Sequence, residues 1–380
     1  MSKVLVFKET VLAPSETFIL SQMSALQRYQ AQLCGLERSR PGLTLKNDVV
    51  LLADSSAAFA RLRAKIYRRI GIAPLFHNRV RRLRPDLIHA HFASGGYSAM
   101  PLARSLKVPL VVTLHGADIT VRARRSTRHT ELMKQAALFL CVSAFIRARA
   151  LEAGFPEEKL RVHYIGIDRE LFVPPDVPKP EKRVLFVGRL VEKKGCEYLL
   201  RAMQVVQKED PACELTIIGD GPLRAQLLTL AGELQVRYDF LGAQPATVVR
   251  TALGAARVLC APSVTAANGD SEGLPIAIAE AQAMGVPVVG SIHAGIPEII
   301  VDGVTGLLAA ERDTKALTNA LSTLLHDDSM WSNFHRAAPM HIKDKFDIRA
   351  QAKVLEDIYD SLVASVQARR QTGTTPINSI

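Results

Sequence analysis

Short apolar runs alternate with helix-length stretches along this chain, and the alternation starts twice, once on each side of a proline-rich segment. Runs of four to six apolar residues bounded by turn residues are too short for helices and read as strands buried on both faces. Strands that alternate with helical stretches imply parallel sheets built from βαβ units. In the first half the expected strands are Val4–Phe7, Val49–Leu52, Leu87–Ala90, Leu110–Leu114, Leu138–Val142 and Val162–Ile165. Ser143 is the expected cap of a helix that ends at Gly154. The run Pro174-Pro175-Asp176-Val177-Pro178-Lys179-Pro180 then breaks the pattern as a linker. Strands resume at Arg183–Val187, Glu214–Ile218, Tyr238–Leu241, Val258–Ala261, Val286–Val289 and Gly306–Leu308, with the clearest helices at Cys196–Gln207 and Ile276–Met284.

The fold class expected is therefore α/β, with two doubly wound parallel sheets facing each other across a cleft. A first domain of residues 1–172 and a second of 181–344 are joined by linker 173–180. A C-terminal helix near 345–368 crosses back to complete the first domain, and 369–380 is expected to be a disordered tail. Ligands of doubly wound sheets bind outside the carboxyl ends of the strands, so the cleft is the expected site.

Charge adds a second constraint. The net charge is +11, and between Arg61 and Arg84 nine basic residues occur without one acid. Leu62, Ile66, Tyr67, Ile70, Leu75 and Phe76 are interleaved with them, which suits an anionic membrane surface better than a wholly polar groove. A second basic cluster is Arg122, Arg124, Arg125 and Arg128. The five cysteines are scattered, with no C-x-x-C spacing, which argues against a disulfide scaffold or a zinc site and fits a reducing compartment. No apolar leader begins the chain and no run is long enough to span a bilayer, so a cytoplasmic protein, peripheral on the inner membrane face, is expected.

The richest chemistry lies in Asp270-Ser271-Glu272-Gly273-Leu274-Pro275-Ile276-Ala277-Ile278-Ala279-Glu280. Read as the mouth of a helix, it offers the amides of Gly273 and Leu274 to an anion or a hydroxyl. Glu272 and Glu280 would then lie on one side, separated by roughly 12 Å of helix rise. That spacing suits a long polar ligand and does not suit a metal. After the first strand of the second half, Gly188-Arg189-Leu190-Val191-Glu192-Lys193-Lys194-Gly195 puts cations at the strand's carboxyl edge, where they can neutralise a phosphate leaving group without a divalent ion. Lys193 and Lys194 compete for that role, and spacing favours Lys194. Gly219-Asp220-Gly221 forms a glycine turn that could approach a nucleoside, but the third glycine of a dinucleotide fingerprint is missing. In the first half, His115 and Asp118 follow the buried strand Leu110–Leu114; His115 is placed to polarise a reacting centre, and Asp118 to orient an acceptor or His115. His89 and His91 end the preceding strand and are expected on opposite faces, which removes a shared metal. The first βα turn carries Ser15, Glu16 and Thr17, with Ser15 or Thr17 as helix cap and the loop at the mouth where an acceptor enters.

Taken in order and spacing, F-V-G-R-L-V-E-K-K-G, I-I-G-D-G-P-L-R, the E-G-L-P-I-A-I-A-E segment and G-I-P-E-I-I-V-D-G-V-T-G-L-L resemble the second domain of the retaining glycosyltransferase family four, the group 1 glycosyl transferases of GT-B fold. The likeness is strong over about residues 180–310 and continues more weakly upstream through T-L-H-G-A-D and V-S-A-F-I-R-A-R-A-L-E-A-G-F-P-E-E-K-L-R-V-H-Y-I-G-I-D. The first loop, Pro14-Ser15-Glu16-Thr17-Phe18, where many relatives carry a glycine pair, looks like the exopolysaccharide branch that includes the colanic acid and amylovoran enzymes. The resemblance implies that Glu280 binds the ribose, that Glu272 and the Gly273–Pro275 backbone bind the donor sugar and diphosphate, that Arg189 and Lys194 neutralise the diphosphate, and that His115 sits by the reacting sugar. It implies a nucleoside diphosphate sugar (UDP- or GDP-linked) as co-substrate, no cofactor or essential metal, a lipid-linked oligosaccharide acceptor, and retention of anomeric configuration without an obvious enzymic nucleophile. Tyr164-Ile165-Gly166-Ile167-Asp168 departs from the relatives' Asn-Gly-x-Asp and removes a polar role at Ile165.

Three other classes compete. A sugar-nucleotide epimerase or soluble-acceptor synthase would use the same twin sheets. A nucleic-acid-binding protein is prompted by charge alone and lacks an aromatic stacking segment, so no nucleic acid partner is expected. A nicotinamide oxidoreductase is disfavoured by the incomplete fingerprint.

Overall fold

The protein is described from a computed structural model, which covers residues 1–11, 13, 16–39, 49–53, 57–121, 127–175 and 181–371. Ser15, Arg122, Arg124, Arg125, linker residues 176–180 and tail residues 372–380 lie outside the described residues.

Two all-parallel sheets form. In the first, β1 (Ser2–Val11), β2 (Tyr29–Arg38), β3 (Val50–Leu51), β4 (Leu87–His91), β5 (Leu110–Leu114), β6 (Leu138–Cys141) and β7 (Leu160–Val162) lie in the order β3-β2-β1-β4-β5-β6-β7. In the second, β8 (Arg183–Val187), β9 (Glu214–Ile218), β10 (Asp239–Gly242), β11 (Val258–Ala261), β12 (Val288–Ser291) and β13 (Gly306–Ala309) lie in the order β10-β9-β8-β11-β12-β13. Each order reverses once, between β1 and β4 and between β8 and β11, and each reversal opens a crevice at the strands' carboxyl ends. The expected two-sheet α/β architecture is the one observed.

The strand that the apolar runs did not announce is β2. Gln30 and Gln32 interrupt its hydrophobic sequence, yet it pairs with β1 from Ser2↔Tyr29 to Val11↔Arg38. Gly35 lets that pairing close, since a Cβ there would lie 2.2 Å from the Lys8 carbonyl. Strand β12 begins two residues later than expected because Pro287 has no N–H to give; its carbonyl instead accepts from Leu259 N at 3.1 Å. Ser143 caps its helix as expected, its Oγ accepting from Ile146 N at 3.2 Å.

The last helix, Ile348–Gln371, returns to the first sheet. Its Ala352, Leu355 and Tyr359 are buried in one cluster with Val4, Val6, Val111 and Leu140. Glu356 Oε1 accepts from Gln27 N at 2.7 Å and Arg28 N at 2.5 Å, fixing the loop ahead of β2. This face of the first sheet is thus closed by a segment that follows the whole second sheet in sequence.

Candidate active site

The second sheet sends loops from its strands' carboxyl ends into the first. Ser271 N donates to Thr120 Oγ1 at 3.1 Å. Gly273 lies so close to β5's exit that a Cβ on it would come within 1.5 Å of the His115 carbonyl oxygen, so any side chain here would force the two sheets apart. Glu298, after β12, adds a second link: its carboxylate accepts from Ala144 N at 2.8 Å, Phe145 N at 3.0 Å and Tyr164 Oη at 3.0 Å. A carboxylate at the exposed amides of a helix N-terminus is favourably placed.

The Glu272 loop differs from its sequence reading. The helix is Ile276–Ala283 with Pro275 as its N-cap, so Glu272, Gly273 and Leu274 precede it outside the helix, and Leu274 is buried in the core. The two glutamates are therefore not separated by two helical turns. The helix begins at Ile276 as expected, and Pro275 keeps the residues before it out of the helix, since proline disfavours helical geometry in the residue before it.

Glu272 is 5% exposed and is held by Lys194 Nζ at 2.7 Å and Ser263 Oγ at 3.1 Å. Burial works to raise its pKa, but Lys194, Lys193 and the two hydrogen bonds outweigh it and hold the carboxyl below its ordinary value. The competing lysine is engaged elsewhere, since Lys193 Nζ pairs with Asp270 at 2.9 Å and reaches the Ser271 carbonyl at 3.2 Å. Arg189 is exposed at the carboxyl end of β8, with no carboxylate on it among the described residues. Gly219 and Gly221 pack against that same loop, where Cβ atoms would meet the Gly188 carbonyl at 1.8 Å and the Leu190 carbonyl at 2.4 Å. Their lack of side chains is explained by this close approach of two backbones. Glu280 is half-buried, has no hydrogen-bond or ion-pair partner among the described residues, and burial lifts its carboxyl to about 7.

On the facing side, His115 is packed by Phe92 and Phe18, with ring centroids at 4.3 Å and 5.3 Å. Burial, with His89 and Lys8 nearby, pushes its imidazole down to about 3, so it is neutral at physiological pH. Asp118 is spent on backbone, accepting from Gly116 N at 2.8 Å, Ala93 N at 3.0 Å and His115 N at 3.1 Å. It fixes the loop that carries His115 and leaves the ring alone. His89 and His91 do not lie on opposite faces: residues two apart in a strand share a face, and their rings stack at 4.6 Å. Thr17 is the first residue of its helix and not the cap; Glu16 takes the cap position without a side-chain cap bond, and pairs instead with Lys8 at 2.6 Å.

Sequence reading missed His293. Its Nε2 accepts from Glu272 N at 3.2 Å, so its proton sits on Nδ1, which donates to Glu311 Oε1 at 2.7 Å. The signal was present, because His293 follows β12 as His115 follows β5.

Comparison with known proteins supplies the family. Residues 16–171 match the family model described as Glycosyltransferase Family 4, and 181–327 match Glycosyl transferases group 1. The amylovoran biosynthesis glycosyltransferase AmsK of Erwinia amylovora is 35% identical over 287 residues, covering 73% of this chain and 70% of that protein. The chain belongs to the family 4 glycosyltransferases. Within this family, the putative colanic acid biosynthesis glycosyltransferase WcaL of Escherichia coli K12 is 34% identical over 256 residues, 65% of this chain and 63% of that one, just under two thirds of its length. The GT-B fold is shared with the solved structure of Anabaena HepE in complex with UDP and glucose, at a TM-score of 0.76 and 20% identity, covering 95% of this chain and 100% of that one.

Proposed function

We propose that this glycosyltransferase moves a hexosyl unit, with retention of configuration, from a UDP- or GDP-sugar to a lipid-linked oligosaccharide in exopolysaccharide, capsule or lipopolysaccharide assembly. The observation that carries the reading is the pairing of cations at the end of β8 with an unpartnered carboxylate at Glu280. Arg189 and Lys194 neutralise the leaving diphosphate, so no essential metal is invoked. Glu280 accepts from the ribose hydroxyls, while Glu272 and the Gly273–Pro275 backbone hold the sugar. Gly219 and Gly221 shape the nucleoside side of the cleft. His115 faces the reacting sugar, and Glu16, Thr17 and Asp118 border the acceptor entrance. Glu272 is committed to Lys194 and Asp118 to three amides, so neither serves as nucleophile in this reading. The exopolysaccharide role is supported by the named activities of the amylovoran and colanic acid relatives, and a nucleotide-sugar donor by the neighbour bound to UDP and glucose.

Thermal shift with UDP-, GDP- and ADP-sugars tests the donor class. A ligand bound only by the folded state at about 100 times its Kd adds roughly 2.7 kcal/mol of apparent stability. One sugar nucleotide is expected to raise the melting temperature by several degrees, and no shift with any of them at millimolar concentration would overturn the proposal.

The acceptor reading places the protein on the membrane. Among the described residues no helix is long and apolar enough to cross a bilayer. The helix Ala57–Ile70 instead turns Phe59, Leu62, Ile66 and Ile70 outward while Ala64 and Tyr67 face the core. Exposed Arg61, Arg63, Lys65 and Arg69 flank that stripe, and Ile72 and Leu75 extend it. An apolar stripe with a cationic border fits a bilayer interface with anionic headgroups. Replacing Leu62 and Ile66 with Asp, or Arg79, Arg81 and Arg82 with Glu, is expected to release the protein from anionic vesicles in co-sedimentation while leaving donor-induced thermal shifts intact. Unchanged vesicle binding in both variants would remove the membrane role.

A further inference from the structure

Behind His115 lies a column of aromatic rings that the proposed reaction does not use. His89 Nδ1 meets Tyr359 Oη at 2.5 Å, and its Nε2 meets Thr113 Oγ1 at 2.6 Å. The His89 ring stacks on His91 at 4.6 Å, and His91 stacks on His115 at 5.3 Å. The last two rings also share a hydrogen bond, His91 Nδ1 to His115 Nε2, at 3.1 Å. Burial drives all three imidazoles below their ordinary pKa, so each is neutral and carries a single ring proton.

Which ring donates across the 3.1 Å contact is settled by the far side of His91. That residue is 2% exposed, and its Nε2 is sealed from solvent without a partner among the described residues. If His91 carried its proton on Nε2, a buried N–H would be orphaned, which is rare and costly. A bare lone pair at the same place is tolerated more readily. The proton therefore sits on Nδ1 of His91, which donates to Nε2 of His115. His115 must then hold its own proton on Nδ1, the nitrogen that has no partner among the described residues and is not among the sealed atoms.

We infer that His91 is a positioning residue that fixes the tautomer of His115, so that His115 presents an N–H donor, and not a lone pair, to the substrate. The inference rests on the proposal that His115 faces the reacting sugar. A neutral donor suits a sugar hydroxyl or ring oxygen and leaves no base free to take a proton there. Where His91 is cut back so that a water takes its place, Nε2 gains a partner that accepts as readily as it donates, the imidazole is free to take its intrinsically preferred Nε2–H form, and the nitrogen facing the cleft becomes an acceptor.

The test is long-range proton–nitrogen NMR on the full chain labelled with ¹⁵N-histidine, at neutral pH and without donor, with His115 assigned by His115→Gln. The expected spectrum shows the His115 proton on Nδ1. His91→Asn keeps a side-chain N–H near the original Nδ1 and is expected to preserve that tautomer, with transfer within about threefold of wild type. His91→Ala removes the donor and leaves room for water; the proton should move to Nε2 and kcat should fall by about tenfold, the size of one lost hydrogen bond, with little change in donor KM. A wild-type His115 protonated on Nε2 overturns the inference, and that reading stands even if a variant fails to fold. So does a His91→Ala spectrum with the tautomer unchanged. If the tautomer switches in His91→Ala while kcat holds, the role of His91 is upheld and the placement of His115 at the sugar is the part that fails.

Discussion

Replacing Glu272 with glutamine is expected to lower kcat by about 10²–10³-fold, the range for removing one electrostatic group from a preorganised site. Glu272 belongs to the proposed sugar site and also holds Lys194, its partner at 2.7 Å. An amide cannot balance an ammonium, so the charge of Lys194 would be left without its counter-ion. Lys194 would lose the geometry that aims it at the diphosphate. Breaking a fully buried pair costs about 3–5 kcal/mol; the 22% exposed Lys194 side chain places the stability loss here below that range, at about 2 kcal/mol. Steady-state kinetics with saturating donor, paired with thermal unfolding, separates the two effects. A variant that keeps more than about half of wild-type kcat would remove Glu272 from the mechanism.

The same pair predicts an acid limb. The carboxyl of Glu272 is held below its ordinary value of 4.5 in the folded state. Its stabilising contribution is therefore complete above 4.5 and is lost as the pH falls through the depressed folded value. The glutamine variant should show a shallower loss of melting temperature below pH 4.5 than the wild type.

Much of this site was legible from residue order, because strand ends are where doubly wound sheets place chemistry. His115 and Arg189 were singled out as candidates by that rule and Lys194 by its spacing from the strand, and His293 follows the same rule. What sequence could not supply was the partner of each group. Lys193 and Lys194 are adjacent and chemically alike, and only the fold sends one to Asp270 and the other to Glu272. Asp118 reads as a ligand group until three backbone amides are seen to consume it. The helix start at Ile276 was legible, but the eight residues from Glu272 to Glu280 were counted as helical rise; that Glu272 lies in a loop is decided by the contact of Gly273 with the His115 carbonyl, between residues more than 150 positions apart. Strand β2 was hidden for a related reason: its glutamines look like loop until β1 pairs with them.

Glu280 is expected to make stability and donor affinity move in opposite directions with pH. Its carboxyl is lifted from 4.5 to about 7 by burial alone. In the folded apoprotein the protonated form is favoured, so stability is lost as the pH rises from 4.5 through about 7 and then levels off. The difference corresponds to at most about 3 kcal/mol, and to about 2 once the side chain's partial exposure is allowed for. Glu280→Gln should therefore raise the melting temperature by several degrees at about pH 8 and leave it nearly unchanged at about pH 5. Ribose hydroxyls donate to a carboxylate and offset the cost of its burial, so the donor binds the ionised form better. Donor KM should fall as the pH rises through about 7, by up to about tenfold per pH unit, and flatten above it. In Glu280→Gln that slope should vanish while the profile of kcat keeps its shape. A donor KM that rises across the same interval would mean that the carboxyl acts as a protonated donor to the ligand. A flat profile in the wild type would mean that the ribose lies elsewhere, since a glutamate buried only for packing changes stability with pH but not affinity.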